Sequence, residues 1–132
     1  MTARAEGSFT FDSWDGEDVS TIDGAHISRV VFVKRFVGAV SGTSRGWLTM
    51  VRHESGSAAY GGTERYDVTV DGRQGTFVAQ HHAGGNETVG FTSSVEILDG
   101  SGTGELTGLR GNVEITAHED GSHTVGLAYD LD

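Results

Sequence analysis

Ala58-Ala59-Tyr60-Gly61-Gly62-Thr63-Glu64-Arg65-Tyr66-Asp67-Val68-Thr69-Val70-Asp71-Gly72-Arg73-Gln74-Gly75-Thr76-Phe77-Val78-Ala79-Gln80-His81-His82 is the stretch that decides the fold. Asp71-Gly72 is a strong two-residue hairpin turn, because both residues tolerate the positive φ that matches strand twist. It sets Val70 opposite Arg73, and counting outward places Tyr66 opposite Phe77, Glu64 opposite Ala79 and Gly62 opposite His81. One face then carries Tyr60, Glu64, Tyr66, Val68, Phe77, Ala79 and His81. The other carries Thr63, Arg65, Asp67, Thr69, Thr76, Val78 and Gln80. Side chains alternate along a strand, so the aromatic face is the inner one, and Glu64 and His81 are expected to point inward with it.

Outward from this hairpin the same grammar repeats. Strand-like segments are expected at about 7–14, 26–37, 43–53, 58–70, 74–82, 87–98, 111–118 and 123–131. Between them lie Gly24, Ser41-Gly42, Ser55-Gly56, Asp71-Gly72, Gly84-Gly85-Asn86, a Gly-rich run from Gly100 to Gly111, and Asp120-Gly121. Evenly spaced strands with hairpin-length turns suggest a sandwich or barrel, and eight strands suffice to close a barrel around side chains or one small ligand. The expected fold is all-β: one closed eight-stranded antiparallel barrel forming a single domain over residues 1–132. With Ser55-Gly56 as a two-residue turn, Trp47, Thr49, Val51 and His53 join the inner face, and Leu48 and Met50 face outward as a hint of a subunit interface. Alternation selects Val89, Phe91, Val95 and Ile97, then Val113 and Ile115, then Val125, Leu127, Tyr129 and Leu131 as inner residues. Gly104–Leu109 has room for one helical turn and no more.

Composition narrows the function classes. The 132 residues include 21 Gly, no Pro and no Cys, and the formal net charge is −10. An acidic chain repels nucleic acid and anionic membrane, so neither is an expected partner. Without cysteine there is no disulfide, thiolate nucleophile or Cys-ligated metal. No run approaches the roughly 20 apolar residues of a membrane span and the first residues lack a signal-peptide pattern, so a cytoplasmic location is the default.

Several segments resemble one bacterial family. Phe36-Val37-Gly38-Ala39-Val40-Ser41-Gly42-Thr43-Ser44 resembles its F-x-G-x-x-x-G-T-S segment, and Gly62-Thr63-Glu64-Arg65 its G-x-E-R strand. Gly75-Thr76-Phe77-Val78-Ala79-Gln80-His81 is similar to its G-S-F-x-x-Q-H strand, with Thr76 in place of serine. The run from Gly100 to Gly111 resembles its G-S-G-T-G-E-L-x-G-L-x-G. The family is the uncharacterised domain of unknown function 3224. The resemblance spans nearly the whole chain and implies an eight-stranded barrel like that of plant allene oxide cyclase, and an oligomer. It implies no activity. Related barrels include cofactor-free cyclases and isomerases, which is an analogy of fold alone.

The sharpest chemical feature is the Glu64–His81 pair. Diagonal neighbours on adjacent strands, about 7–8 Å apart at the backbone, can perturb each other's pKa and exchange protons inside an apolar cavity. Trp47, Thr49, Val51, Tyr60, Tyr66, Phe77, Phe91 and Tyr129 are the expected ligand-contacting walls. The bland reading is a buried polar cluster that pins register, with Glu64 held by a tyrosine hydroxyl or an arginine. No metal or cofactor is expected: His81 and His82 face opposite sides, and His53 sits about 13 Å from His81 along the strand. The Gly100–Gly111 run lacks a P-loop lysine and reads as a connection across the barrel end, where Arg110 is placed to meet an acidic ligand at a cavity mouth. Asn86-Glu87-Thr88 is a sequon by coincidence, and Asp12, Asp15, Glu17 and Asp18 form a solvated acidic patch near Trp14. The leading expectation is a cofactor-independent barrel that binds an apolar or aromatic metabolite and isomerises or cyclises it. The alternatives are a non-catalytic carrier and an assembly domain with a packed interior.

Overall fold

A computed structural model describes residues 2–131 as a closed antiparallel barrel in which the eight strands follow one another in chain order. They are β1 (Ala3–Ile22), β2 (Ala25–Gly38), β3 (Val40–His53), β4 (Ala58–Val70), β5 (Arg73–Asn86), β6 (Gly90–Ile97), β7 (Arg110–Ala117) and β8 (His123–Asp130). Every neighbour pair is antiparallel, as hairpin connections require. Asp71 and Gly72 both take positive φ, at 49° and 84°, and the β4–β5 register runs from Val70↔Arg73 through Tyr66↔Phe77 to Gly62↔His81. The inward set read from this turn is therefore correct: Glu64, Tyr66, Val68, Phe77, Ala79 and His81 are all buried.

The β3–β4 turn corrects the sequence reading. Arg52 pairs with Ala58, and the His53 amide donates to the Ser57 carbonyl at 2.8 Å, so three residues, Glu54 to Gly56, form the loop. Gly56 takes φ +96°, which fits the three-residue hairpin with a left-handed third position. One extra loop residue reverses every side chain on β3. Trp47, Thr49 and His53 consequently lie exposed on the outer wall and Val51 is half-buried beside them, whereas Leu48 and Met50 turn inward. Other turns also move: β3 begins at Val40, so the β2–β3 turn lies at Ala39 rather than at Ser41-Gly42, and β5 continues through Gly84-Gly85 to Asn86. Val89 falls in the β5–β6 turn and is exposed.

The barrel has one packed end and one open end. At the packed end Phe9, Phe36, Val40, Tyr66, Val68, Phe77, Ile97, Val113, Val125 and Leu127 form the main core. The Gly-rich connection crosses this end as a three-residue 3-10 turn, Gly104–Leu106, and drives Leu106 and Leu109 fully into the core as a plug. Gly75 makes room for it, since a Cβ there would stand 2.0 Å from the Thr103 carbonyl oxygen. At the opposite end the wall is uneven. β1 pairs with β8 only from Ala3 to Phe9, while its pairing with β2 runs on to Ile22. β6 and β7 share a single register pair among the described residues, Glu96↔Asn112. The long strands β1–β5 thus rise above β6–β8 and leave a mouth open on one side.

Candidate functional site

Between the plug and the mouth, four polar side chains from four consecutive strands meet. Alternation carries Lys34 inward from β2 between Phe32 and Phe36, Ser44 from β3, Glu64 from β4 and His81 from β5. All four are buried, Glu64 completely. Glu64 is the hub: His81 Nε2 lies 2.6 Å from Oε1, Lys34 Nζ donates to the same oxygen at 3.2 Å, and Ser44 Oγ donates to Oε2 at 2.5 Å. Lys34 is also boxed by aromatic rings, its Nζ 4.5 Å from the Phe9 centroid and 5.0 Å from that of Phe32. A cation over such ring faces is attracted by their quadrupoles.

The electrostatics follow from this geometry. Burial alone pushes the Glu64 carboxyl up, but the His81 hydrogen bond, the Lys34 charge and the Ser44 hydroxyl outweigh it and hold the pKa below the ordinary value. Burial lowers the Lys34 pKa, against the opposing pull of Glu64. Tyr66, stacked on Phe77 at 4.5 Å beneath the cluster, has its hydroxyl pushed well up by burial and by the Glu64 charge. That hydroxyl has no hydrogen-bond partner among the described residues.

Glu64 as a carboxylate only accepts, so a neutral His81 must carry its proton on Nε2 and leave Nδ1 as a lone pair. Nδ1 has no hydrogen-bond partner among the described residues. The His81 side chain is itself buried, 4% exposed. Above it stand Tyr60 and Phe32, with ring centroids 6.4 and 6.5 Å from the imidazole. Val30, Phe32 and Leu48, with Met50 and Tyr60 against them, form a second apolar cluster on this floor. Two depressions open from it. One, of about 420 Å³, is lined by Trp14, His26, Val30 and Met50 among others; the second, of about 350 Å³, is lined by Met50, Ala58, Tyr60, Ala83 and Phe91. A third, of about 220 Å³, lies in the gap between β6 and β7 and also touches Tyr60.

Of the residues expected to meet a ligand, Tyr60 and Phe91 stand at this mouth, Phe91 largely exposed because its strand is unpaired on the β7 side. Val51 borders the second depression from the outer side of its strand, and Trp47 and Thr49 face away from the interior. Tyr66, Phe77 and Tyr129 belong to the packed core, and Tyr129 donates from its hydroxyl to Asp71 at 2.5 Å near the plugged end. Arg110 begins β7 at that same plugged end, opposite Asp130 and far from the mouth. His53 bonds to Ser55 and to the Asp23 carbonyl. The acidic patch is partly neutralised, with Arg35 on Asp12 at 2.9 Å and Arg29 on Glu17 at 3.6 Å, and His26 Nε2 lies 3.0 Å from Asp18. No three His, Cys, Asp or Glu side chains converge on a metal position among the described residues.

Sequence reading missed Lys34, Ser44, Phe32 and Trp14. Two signals were available: Lys34 is the only lysine in the chain, and it interrupts Phe32-x-Lys34-x-Phe36, an apolar alternation.

Comparisons with known proteins agree with this architecture. A family model described as "Protein of unknown function (DUF3224)" matches residues 5–129. The chain is similar to a protein of unknown function from that family in Shewanella oneidensis MR-1, whose crystal structure aligns with a TM-score of 0.85 at 26% identity. The alignment covers 100% of this chain and 99% of that one. Among the curated proteins nothing matches. No helix of the described residues is long and apolar enough to cross a membrane.

Proposed function

We propose, from the premise that this chain belongs to the DUF3224 family of proteins of unknown function, that it binds an apolar or aromatic small molecule in the barrel mouth and moves a proton on it. The observation that carries the reading is the two-sidedness of His81: Nε2 is fixed on Glu64, and Nδ1 has no hydrogen-bond partner among the described residues. A base held this way takes a proton from carbon next to a carbonyl, and Glu64 stabilises the imidazolium that results. Returning the proton at another position of the enolate completes an isomerisation. Trp14, Met50, Tyr60 and Phe91 supply apolar walls, and holding a flexible substrate in one conformer lowers the entropic part of the barrier. The kinship suggested with allene oxide cyclase barrels guides the reaction class in this reading, isomerisation or ring closure, and carries with it an oligomer.

Two measurements test this. Binding is read with N-phenylnaphthylamine, whose fluorescence rises in an apolar site, together with quenching of Trp14. Proton transfer is read by proton NMR as loss of the α-hydrogens of phenylacetone in deuterated water. Exchange faster than that given by free imidazole at equal concentration, abolished in His81→Gln while the probe still binds, is the expected result. Exchange no faster than imidazole overturns the proton-transfer half, and no probe binding overturns the whole.

A second reading rests on an observation of its own. Both oxygens of Glu64 are occupied and the carboxylate is sealed. A network so complete fits a barrel staple beneath a mouth that only carries its ligand; probe binding without exchange selects it.

A further inference from the structure

On the outer wall, away from the mouth, Arg45 of β3 and Arg65 of β4 stand directly opposite each other in register. Both are exposed, and neither side chain has an ion pair or hydrogen bond among the described residues. Like charges set opposite on neighbouring strands destabilise a sheet. Scarcity of carboxylates does not explain it, since acidic residues outnumber lysine and arginine by 19 to 9. Together they border an open depression of about 420 Å³, with Val33 as an apolar floor and Trp47, 46% exposed, as one wall. Its other charged residues are Asp12 and Arg35, which hold each other at 2.9 Å, and Asp67, which pairs with neither free guanidinium.

We propose that Arg45, Arg65 and Trp47 form a binding site for an oxyanion carried on an aromatic ring, such as an aryl phosphate. Two adjacent guanidinium forks match the oxygens of a phosphate or carboxylate, and the indole face takes the ring. The anion also removes the repulsion between the arginines, so the site is relaxed when full and strained when empty. This site is independent of the mouth and of the reading given to it.

Phenyl phosphate is titrated into Trp14→Phe protein, where Trp47 is the remaining indole, with inorganic phosphate and sodium chloride at matched ionic strength as comparisons. Saturable quenching by phenyl phosphate, weaker response to inorganic phosphate and none to chloride are expected. Arg65→Thr is expected to weaken the phenyl phosphate response by about tenfold or more. The same exposed substitution is expected to raise the Tm of the ligand-free protein. Equal quenching by chloride, or an unchanged titration in Arg65→Thr, overturns the proposal. A Tm lowered by several degrees in ligand-free Arg65→Thr overturns it too, by making the pair structural. Salt-reversible self-association that Arg65→Thr abolishes, with no phenyl phosphate response, overturns it by giving the face to a second copy.

Discussion

Lys34 on β2 reaches past β3 to Glu64 on β4, its Nζ 3.2 Å from the carboxylate oxygen that also meets His81 Nε2 at 2.6 Å. The path is open because β3 presents only the small residues Ser44 and Gly46 there: Ser44 is opposite Lys34, and Gly46 is opposite both Phe32 and Glu64. The single lysine of the chain thus balances the charge of a carboxylate that would otherwise be buried uncompensated.

Removing either partner of this ion pair leaves a charge in the core. Lys34→Met is expected to lower unfolding free energy by about 3–5 kcal/mol in urea titrations. Glu64→Gln keeps an acceptor for His81 without the charge. The double variant is expected to cost less than the sum of the two singles, by roughly 1–3 kcal/mol. Strict additivity would show that lysine and carboxylate do not interact.

Acid sensitivity follows from the lowered Glu64 pKa. Between its folded value and the ordinary 4.5, the unfolded chain binds a proton that the folded chain does not. The stabilisation is therefore complete above 4.5 and is lost as pH falls through the folded value. Urea midpoints of wild type are expected to drop more steeply below that pH than those of Glu64→Gln. Parallel acid limbs would remove Glu64 as the cause.

Gly46 sets the position of the Phe32 ring. A Cβ at Gly46 would stand 2.1 Å from the ring, so Gly46→Ala must displace Phe32, which packs edge-on to His81 at 6.5 Å. The overpacking is expected to cost about 1–3 kcal/mol. It is also expected to weaken N-phenylnaphthylamine binding, measured on the folded fraction. Unchanged stability would mean that the floor is looser than its packing indicates.

The plug is expected to behave as core. Leu106 is fully buried although its segment is a Gly-rich connection, and Leu106→Ala should cost about 2–5 kcal/mol by denaturant titration. A change under about 0.5 kcal/mol would show that the connection is only a surface loop.

The two tryptophans report different places. Trp14 stacks on Phe32 with centroids 5.8 Å apart at the mouth, whereas Trp47 faces outward. Quenching by a mouth ligand is expected to vanish in Trp14→Phe and to persist in Trp47→Phe. The reverse result would place the ligand on the outer wall.

Asp71-Gly72 shows why much of this was legible beforehand. A two-residue turn with a defined backbone leaves one register, so the inward course of Glu64, Tyr66, Phe77 and His81 followed from local chemistry and the two-residue period of a strand. Ser55-Gly56 shows where that reasoning failed. The choice between a two- and a three-residue loop depends on whether Glu54 enters the turn, and that one residue moved Trp47 outward and Leu48 inward. Lys34 and Ser44 were harder still, because they reach Glu64 from strands two and one removed, and no local pattern states which inward side chains share a layer. By itself, then, the chain determined its strand count, its antiparallel order and the side of the sheet on which an acid and an imidazole lie. Barrel closure alone decided which layer they occupy, which lysine and serine answer them, and that β6–β8 stop short. Layering arises from the summed registers of all eight strands, a sum that no single turn encodes.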